Sequence, residues 1–210
     1  AVGSGPWTIE VEAEGFAPLS RSGIESSEAL EIVLYVEAMV AGEVSDAATG
    51  APLPTVRVQV GTVARLLQTR RGRFELGGLS AGAWRLRVSA PGYAARELLV
   101  EAKPAADRSL LDDVRVELPA GARVRGVILD ARGDPVASAR VRAVAGGEAN
   151  GLRVGDAGRE GAVTNGRGEF VLSELPPGDC ALVAATAAGE ARSEVRLEAG
   201  GEVEVELRLP

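Results

Sequence analysis

Polar and apolar side chains alternate with a period of two along most of this chain, most clearly over residues 8–14, 56–60, 85–89, 114–118 and 202–209. In an extended strand that period puts every second side chain on one face. Each stretch therefore predicts an antiparallel strand with one face buried and the other wet. Clusters of Gly, Pro, Asn and Asp bound these stretches, and such residues permit positive φ or preset a turn. Two segments compete as helix. Residues 26–36 are rich in Glu, Ala and Leu behind a capping Ser26, and residues 104–112 open on Pro104, a residue tolerated at the first helical position.

The pattern also repeats. Val40-Ala41-Gly42-Glu43-Val44-Ser45-Asp46 returns 84 residues later as Val124-Arg125-Gly126-Val127-Ile128-Leu129-Asp130. Gly50-Ala51-Pro52-Leu53 answers Gly133-Asp134-Pro135-Val136, and Val56-Arg57-Val58 answers Ala139-Arg140-Val141. Gly72-Arg73-Phe74-Glu75-Leu76 then answers Gly168-Glu169-Phe170-Val171-Leu172 at an offset of 96, the difference being absorbed by a loop over 146–164 rich in Gly, Asn and Asp. A truncated copy opens the chain, since Gly5-Pro6-Trp7-Thr8-Ile9 and Gly15-Phe16 match Gly82-Ala83-Trp84-Arg85-Leu86 and Gly92-Tyr93 at an offset of 77. Residues 29–42 align with 113–126 without a gap, and because 114–118 read as a strand, the alignment favours strand over helix for the first of these. The predicted organisation is the C-terminal half of a β-sandwich repeat over 1–38, a whole repeat over 39–120 and a second over 121–210. About seven short strands per repeat describe an all-β fold of tandem immunoglobulin-like or prealbumin-like antiparallel β-sandwiches. Residues 35–39 and 119–123 are the only connections between copies, too short to leave much hinge freedom.

On these motifs the chain resembles tandem carboxypeptidase regulatory-like domains, the transthyretin-like sandwich. The resemblance rests on Gly-x-Val-x-Asp, Gly-x-Pro, Val-x-Val, Asn165-Gly166-Arg167-Gly168-Glu169-Phe170 and Leu175-Pro176-Pro177-Gly178, and it covers 39–210. It implies a non-catalytic spacer, stabiliser or protein-interaction module in a larger exported or cell-surface protein, with an extracellular or cell-envelope location. A carbohydrate-binding module is the alternative that related sandwiches imply. Many relatives carry Tyr two residues after the Pro-Pro-Gly glycine, where this chain has Trp84, Trp7 and Cys180. Relatives crosslinked from Lys to Asn or Asp need a buried lysine, whereas Lys103, the single lysine, is expected in a loop beside Pro104.

Composition removes several chemistries. The 210 residues contain no His, one Cys and one Met, and their formal net charge is -7. Without His there is no Ser/His or Cys/His nucleophile pair and no imidazole metal ligand, and one cysteine forms neither an internal disulfide nor a thiolate zinc site. The acidic balance opposes nucleic-acid binding. No run of 18 apolar residues is present to span a bilayer, and the first residues lack the pattern of a signal peptide. The charge is uneven, because residues 1–38 hold seven Glu against Arg21 alone.

No catalytic, cofactor or metal site is expected. Glu202, Glu204 and Glu206 share one strand face and read as a solvated surface. Asp46, Asp130 and Asp134 fall in the first turn of each repeat, where turn capping by an Asp carboxylate accounts for them without calcium. The loop residues Asp156, Glu160 and Asn165 match no calcium-loop spacing. Cys180 occupies a slot held by Trp in the other copies and is expected to be buried. Trp7, Trp84, Phe74 and Phe170 recur at equivalent alternating positions and are expected in the core, whereas Phe16, Tyr35 and Tyr93 are expected to face solvent. The candidates for ligand or partner contact are the basic run Arg65, Arg70, Arg71 and Arg73 around a predicted hairpin, with Phe16 and Tyr93. Guanidinium forks suit an acidic glycan, a phosphate or an acidic neighbouring domain. The partners expected are other domains of the same protein or a protein partner, with a glycan as the alternative.

Overall fold

The computed structural model describes residues 6–25, 29–61, 63–104, 114–145, 161–187 and 189–210. Within them the regular structure is strand and no helix occurs. A hairpin of β1 (Trp7–Val11) and β2 (Leu19–Ile24) opens the chain. Next come β3 (Glu37–Asp46), β4 (Thr55–Val60), β5 (Val63–Gln68), β6 (Arg73–Ser80), β7 (Gly82–Ser89), β8 (Arg96–Pro104) and β9 (Val114–Leu118). The same order recurs as β10 (Ala122–Leu129), β11 (Arg140–Ala145), β12 (Ala162–Val163), β13 (Glu169–Leu175), β14 (Gly178–Ala185), β15 (Glu190–Leu197) and β16 (Glu202–Arg208).

Each seven-strand set makes two layers. In the second, β13-β10-β16 faces β12-β11-β14-β15. In the first, β6, β3 and β9 form one layer and β5-β4-β7-β8 the other, tied at one edge where Ala38 and Met39 pair with Pro104 and Lys103. The alternating apolar positions of both layers turn inward, giving one cluster around Val44, Val56, Leu76, Leu86 and Leu118 and another around Val124, Ile128, Val141, Leu182 and Leu207. Full burial of such a side chain contributes about 1.5–3 kcal/mol, so each set closes on its own apolar interior.

One ladder in each set departs from antiparallel pairing. Strand β9 runs parallel to β3, with Val114 opposite Gly42, and β16 runs parallel to β10, with Val205 opposite Gly126. Both glycines are needed for close approach. A Cβ on Gly42 would lie 2.4 Å from the Val114 carbonyl oxygen and 2.8 Å from the Phe74 ring, and one on Gly126 would lie 2.6 Å from the Val205 oxygen and from the Phe170 ring. The recurring pairing of a first-strand glycine with a phenylalanine opposite it, Gly42 with Phe74 and Gly126 with Phe170, thus seats an aromatic ring of the antiparallel neighbour directly over the first strand.

Four expectations need correction. Residues 29–35 form no helix, but neither do they form the strand that alignment with 114–118 favoured. Strands β9 and β16 exist by pairing with the first strand of their own set, whereas 29–35 pair with no strand among the described residues. Trp7 is 39% exposed on the two-stranded sheet of β1 and β2, and Trp84 is only partly buried. Lys103 lies in β8 opposite Met39, not in a loop, because β8 continues to Pro104. The loop expected over 146–164 is shorter, since Ala162-Val163 add β12 to the edge of β11. The helical turn considered for 104–112 falls beyond Pro104 outside the described residues, as do Asp156 and Glu160.

Candidate functional site

The basic run does not converge. Arg65 sits on β5, at the outer edge of one layer, whereas Arg73 begins β6 in the opposite layer. Arg70, Arg71 and Arg73 do share the turn between them, where Arg73 N–H donates to the Arg70 carbonyl at 3.1 Å and Arg71 adopts φ +54°. Arg73 is committed to a surface ion pair, with Nη1 3.2 Å from Glu43 Oε1. These guanidinium groups stand on exposed positions.

The two aromatic candidates occupy equivalent places at different junctions. Each follows the turn glycine ahead of β2 or β8. Phe16 is 41% exposed, in keeping with the solvent-facing expectation. Tyr93 is partly buried against the first core, and its hydroxyl donates to Asp46 Oδ2 at 2.8 Å. The other carboxylate oxygen of Asp46 accepts from Ala48 N–H and Thr49 N–H at 2.7 and 2.9 Å. The Tyr93 hydroxyl and then these amides hold the Asp46 carboxyl below the ordinary aspartate value, and the same bond pushes the Tyr93 phenol up. Asp130 is capped likewise by the amides of Arg132 and Asp134 at 2.8 and 2.9 Å and is lowered, first by the Asp134 amide. These bonds account for both turn aspartates. Among the described residues no group of three or more acidic or thiol side chains gathers as a metal site.

Cys180 is buried, and burial followed by neighbouring Asp179 pushes its thiol up, away from the thiolate. Phe74 and Phe170 are buried in the two cores as expected. Glu202, Glu204 and Glu206 are exposed on one face, with Glu202 2.8 Å from Arg125 and Glu206 2.8 Å from Arg208.

The most organised polar geometry lies where copies meet. Ala94 N–H donates to Pro119 O and Gly121 N–H to Gly92 O, both at 2.9 Å, pinning the connection to the turn that carries Tyr93. Towards the following strands, Gly200 N–H donates to Ala120 O at 3.1 Å and Arg123 N–H to Gly201 O at 2.9 Å. The connection is therefore hydrogen-bonded on both sides. Glu174 crosses the junction: displaced in a bulge opposite Arg123 with φ +59°, it accepts from Gly92 N–H at 2.9 Å. Its backbone packs so closely on Gly121 that a Cβ there would lie 2.6 Å from Glu174 Cα.

The first junction repeats the device in the same register. Ala17 N–H donates to Tyr35 O at 2.8 Å and Glu37 N–H to Gly15 O at 2.9 Å. The carboxylate bond differs, for here Gly78 occupies the bulge at φ +78° and donates to Glu37 Oε1 at 2.9 Å between the paired strands β6 and β3. Beside this bond lies a cleft of about 340 Å³, lined by Ala17, Leu19, Tyr35, Leu79 and Trp84 among others. Sequence reasoning reached the shortness of the connections but not these contacts, whose only trace was the constant offset of the glycines at 15 and 92.

The chain matches the sequence model of the carboxypeptidase regulatory-like domain family twice, over residues 39–117 and 123–210. No curated protein matches it significantly. Among solved structures the chain is similar to the minor pilin GBS52 of Streptococcus agalactiae, at 14% identity and TM-score 0.38, covering 82% of this chain and 97% of the pilin. A streptococcal ancillary pilin is 14% identical at TM-score 0.35 and covers all of this chain and 76% of its own. The shaft pilin SpaA of Lactobacillus rhamnosus GG is 14% identical at TM-score 0.32, with 83% and 99% covered.

Proposed function

The chain belongs to the carboxypeptidase regulatory-like domain family, and from that premise we propose that it is a non-catalytic spacer and protein-interaction segment of a larger exported or cell-surface protein. In this reading residues 1–38 are the closing half of one sandwich, 39–120 a whole repeat and 121–210 another. The observation that carries it is the junction at 119–123, hydrogen-bonded to both neighbours and crossed by Glu174. A tether needs slack, whereas a strut needs the connection fixed to each body it joins. Each repeat keeps its own apolar core, so the fixed junction holds two stable bodies at one separation.

The chemistry supports a passive role. There is no histidine, the one thiol is buried and held protonated, and the turn aspartates are occupied by backbone amides and a tyrosine hydroxyl. Small-angle scattering of the whole chain tests the reading. A strut gives a profile fitted by a single arrangement of the repeats at low and high salt; a profile that needs an ensemble of arrangements contradicts it.

One observation favours a second reading, carbohydrate binding. Tyr35 is 62% exposed beside Trp84 in the cleft at the first junction, and exposed aromatic faces stack on sugar rings. A glycan array read with wild type and Tyr35→Ala separates the two. Binding lost in the variant supports the sugar site, and no binding by either protein rules it out for the glycans on the array.

A further inference from the structure

Residues 29–35 have the composition of a last strand without the neighbour that makes one. Leu30, Ile32 and Leu34 stand at the places of Val114, Val116 and Leu118 in β9 and of Val205, Leu207 and Leu209 at and beyond β16. Val116, Leu118, Leu207 and Leu209 are buried in their cores. Ile32 is 36% exposed, and 29–35 pair with no strand among the described residues. In both complete repeats this position is filled in one way, by the repeat's first strand, in parallel, with a glycine opposite the position that Leu30 holds.

We propose that residues 29–35 are an acceptor edge that pairs in parallel with the first strand of a further repeat of this family, a glycine-centred strand of the kind seen in β3 and β10. The register places the incoming glycine opposite Leu30 and the residue after it opposite Glu31. The two ladders fill that place differently, with Glu43 opposite Arg115 in one and Val127 opposite Glu206 in the other, and opposite charges pair nearby, Arg123 and Arg125 with Glu202 and Glu204. An incoming strand that is basic after its glycine meets Glu31 on a unit that also carries Glu10, Glu12, Glu14 and Glu25. Covering the edge also removes the hazard of an extended apolar segment left open to unrelated strands. Pairing also bears on Trp7, whose counterparts are buried in the second core as Cys180 and packed against the first core as Trp84.

The proposal rests on the reading of 1–38 as the closing half of a repeat. It is tested by adding a copy of residues 121–177, carrying Val127→Arg, ahead of Gly5 in the full chain with Trp84→Phe, so that Trp7 alone reports. Amide exchange at 30–34 is expected to slow on the order of tenfold or more, and Trp7 emission to move to shorter wavelength. Gly126→Val in the added copy, which drives a side chain into the Phe170 ring and the acceptor backbone, is expected to abolish both changes. A synthetic peptide of residues 120–131 with the same Arg, added in trans, gives the same readout should the fused segment fail to fold. Unchanged exchange and emission in both formats, or equal protection by the valine donor, overturn the proposal. Loose coupling between 39–120 and 121–210 would sink the spacer reading and leave this result untouched.

Discussion

Single residues decide whether the layers close. Gly42 and Gly126 let a phenylalanine ring and a parallel backbone approach the first strand from two sides, at distances a methyl group cannot share. Gly42→Ala is expected to cost about 1–3 kcal/mol, the range for overpacking a well-filled interior, read as a lowered denaturant midpoint with unchanged slope. Wild-type stability in that experiment would contradict the packing described. Asp46 gives a pH signature. Its folded-state value lies below the unfolded one, so its contribution is fully present above the ordinary aspartate range, near pH 4, and is lost as pH falls through the lowered value. As pH falls below about 4 the melting temperature of wild type should therefore fall more steeply than that of Asp46→Asn, which retains the turn cap without the charge. Parallel pH curves for the two proteins would show that the Tyr93 and amide bonds do not favour the carboxylate.

At the scale of elements, the opening hairpin and residues 29–36 touch the first repeat at the cleft beside Trp84 but contribute nothing to its core cluster. The first core begins at Ala38 and contains no earlier residue. Removing residues 1–36 should accordingly shift the melting of the remainder by no more than about 3 °C. A loss much larger than that would make the opening segment part of the first repeat's fold. Strands, turns and the recurrence of the repeats were legible because period-two alternation and turn glycines are local signals, and they placed Phe74 and Phe170 inside correctly. What alternation cannot carry is the presence of a partner. Residues 29–35 have the pattern of a strand and are not one, since a strand is made by its neighbour as much as by its sequence. The same gap hid the parallel pairing of β9 with β3, the exposure of Trp7 and the separation of Arg65 from Arg73, all set by strand order across layers. The bond from Tyr93 to Asp46 joins residues 47 apart and left no periodic trace.

For the whole molecule, the question is whether the repeats are held or merely connected. The connection has its hydrogen-bonding groups engaged on both sides, and Glu174 adds a charge-assisted bond across the gap. Gly121→Ala isolates this feature, because the new methyl would strike the Glu174 backbone while touching neither core. Both repeats should melt as before in that variant, with only their relative placement disturbed. Spin labels at Leu99→Cys on β8 and Val163→Cys on β12, both strongly exposed positions, report that placement in a Cys180→Ala background. Pulsed dipolar spectroscopy of this pair is the most direct measurement. A strut predicts one narrow distance distribution that broadens or splits with Gly121→Ala, whereas a broad distribution already present without that substitution would contradict it.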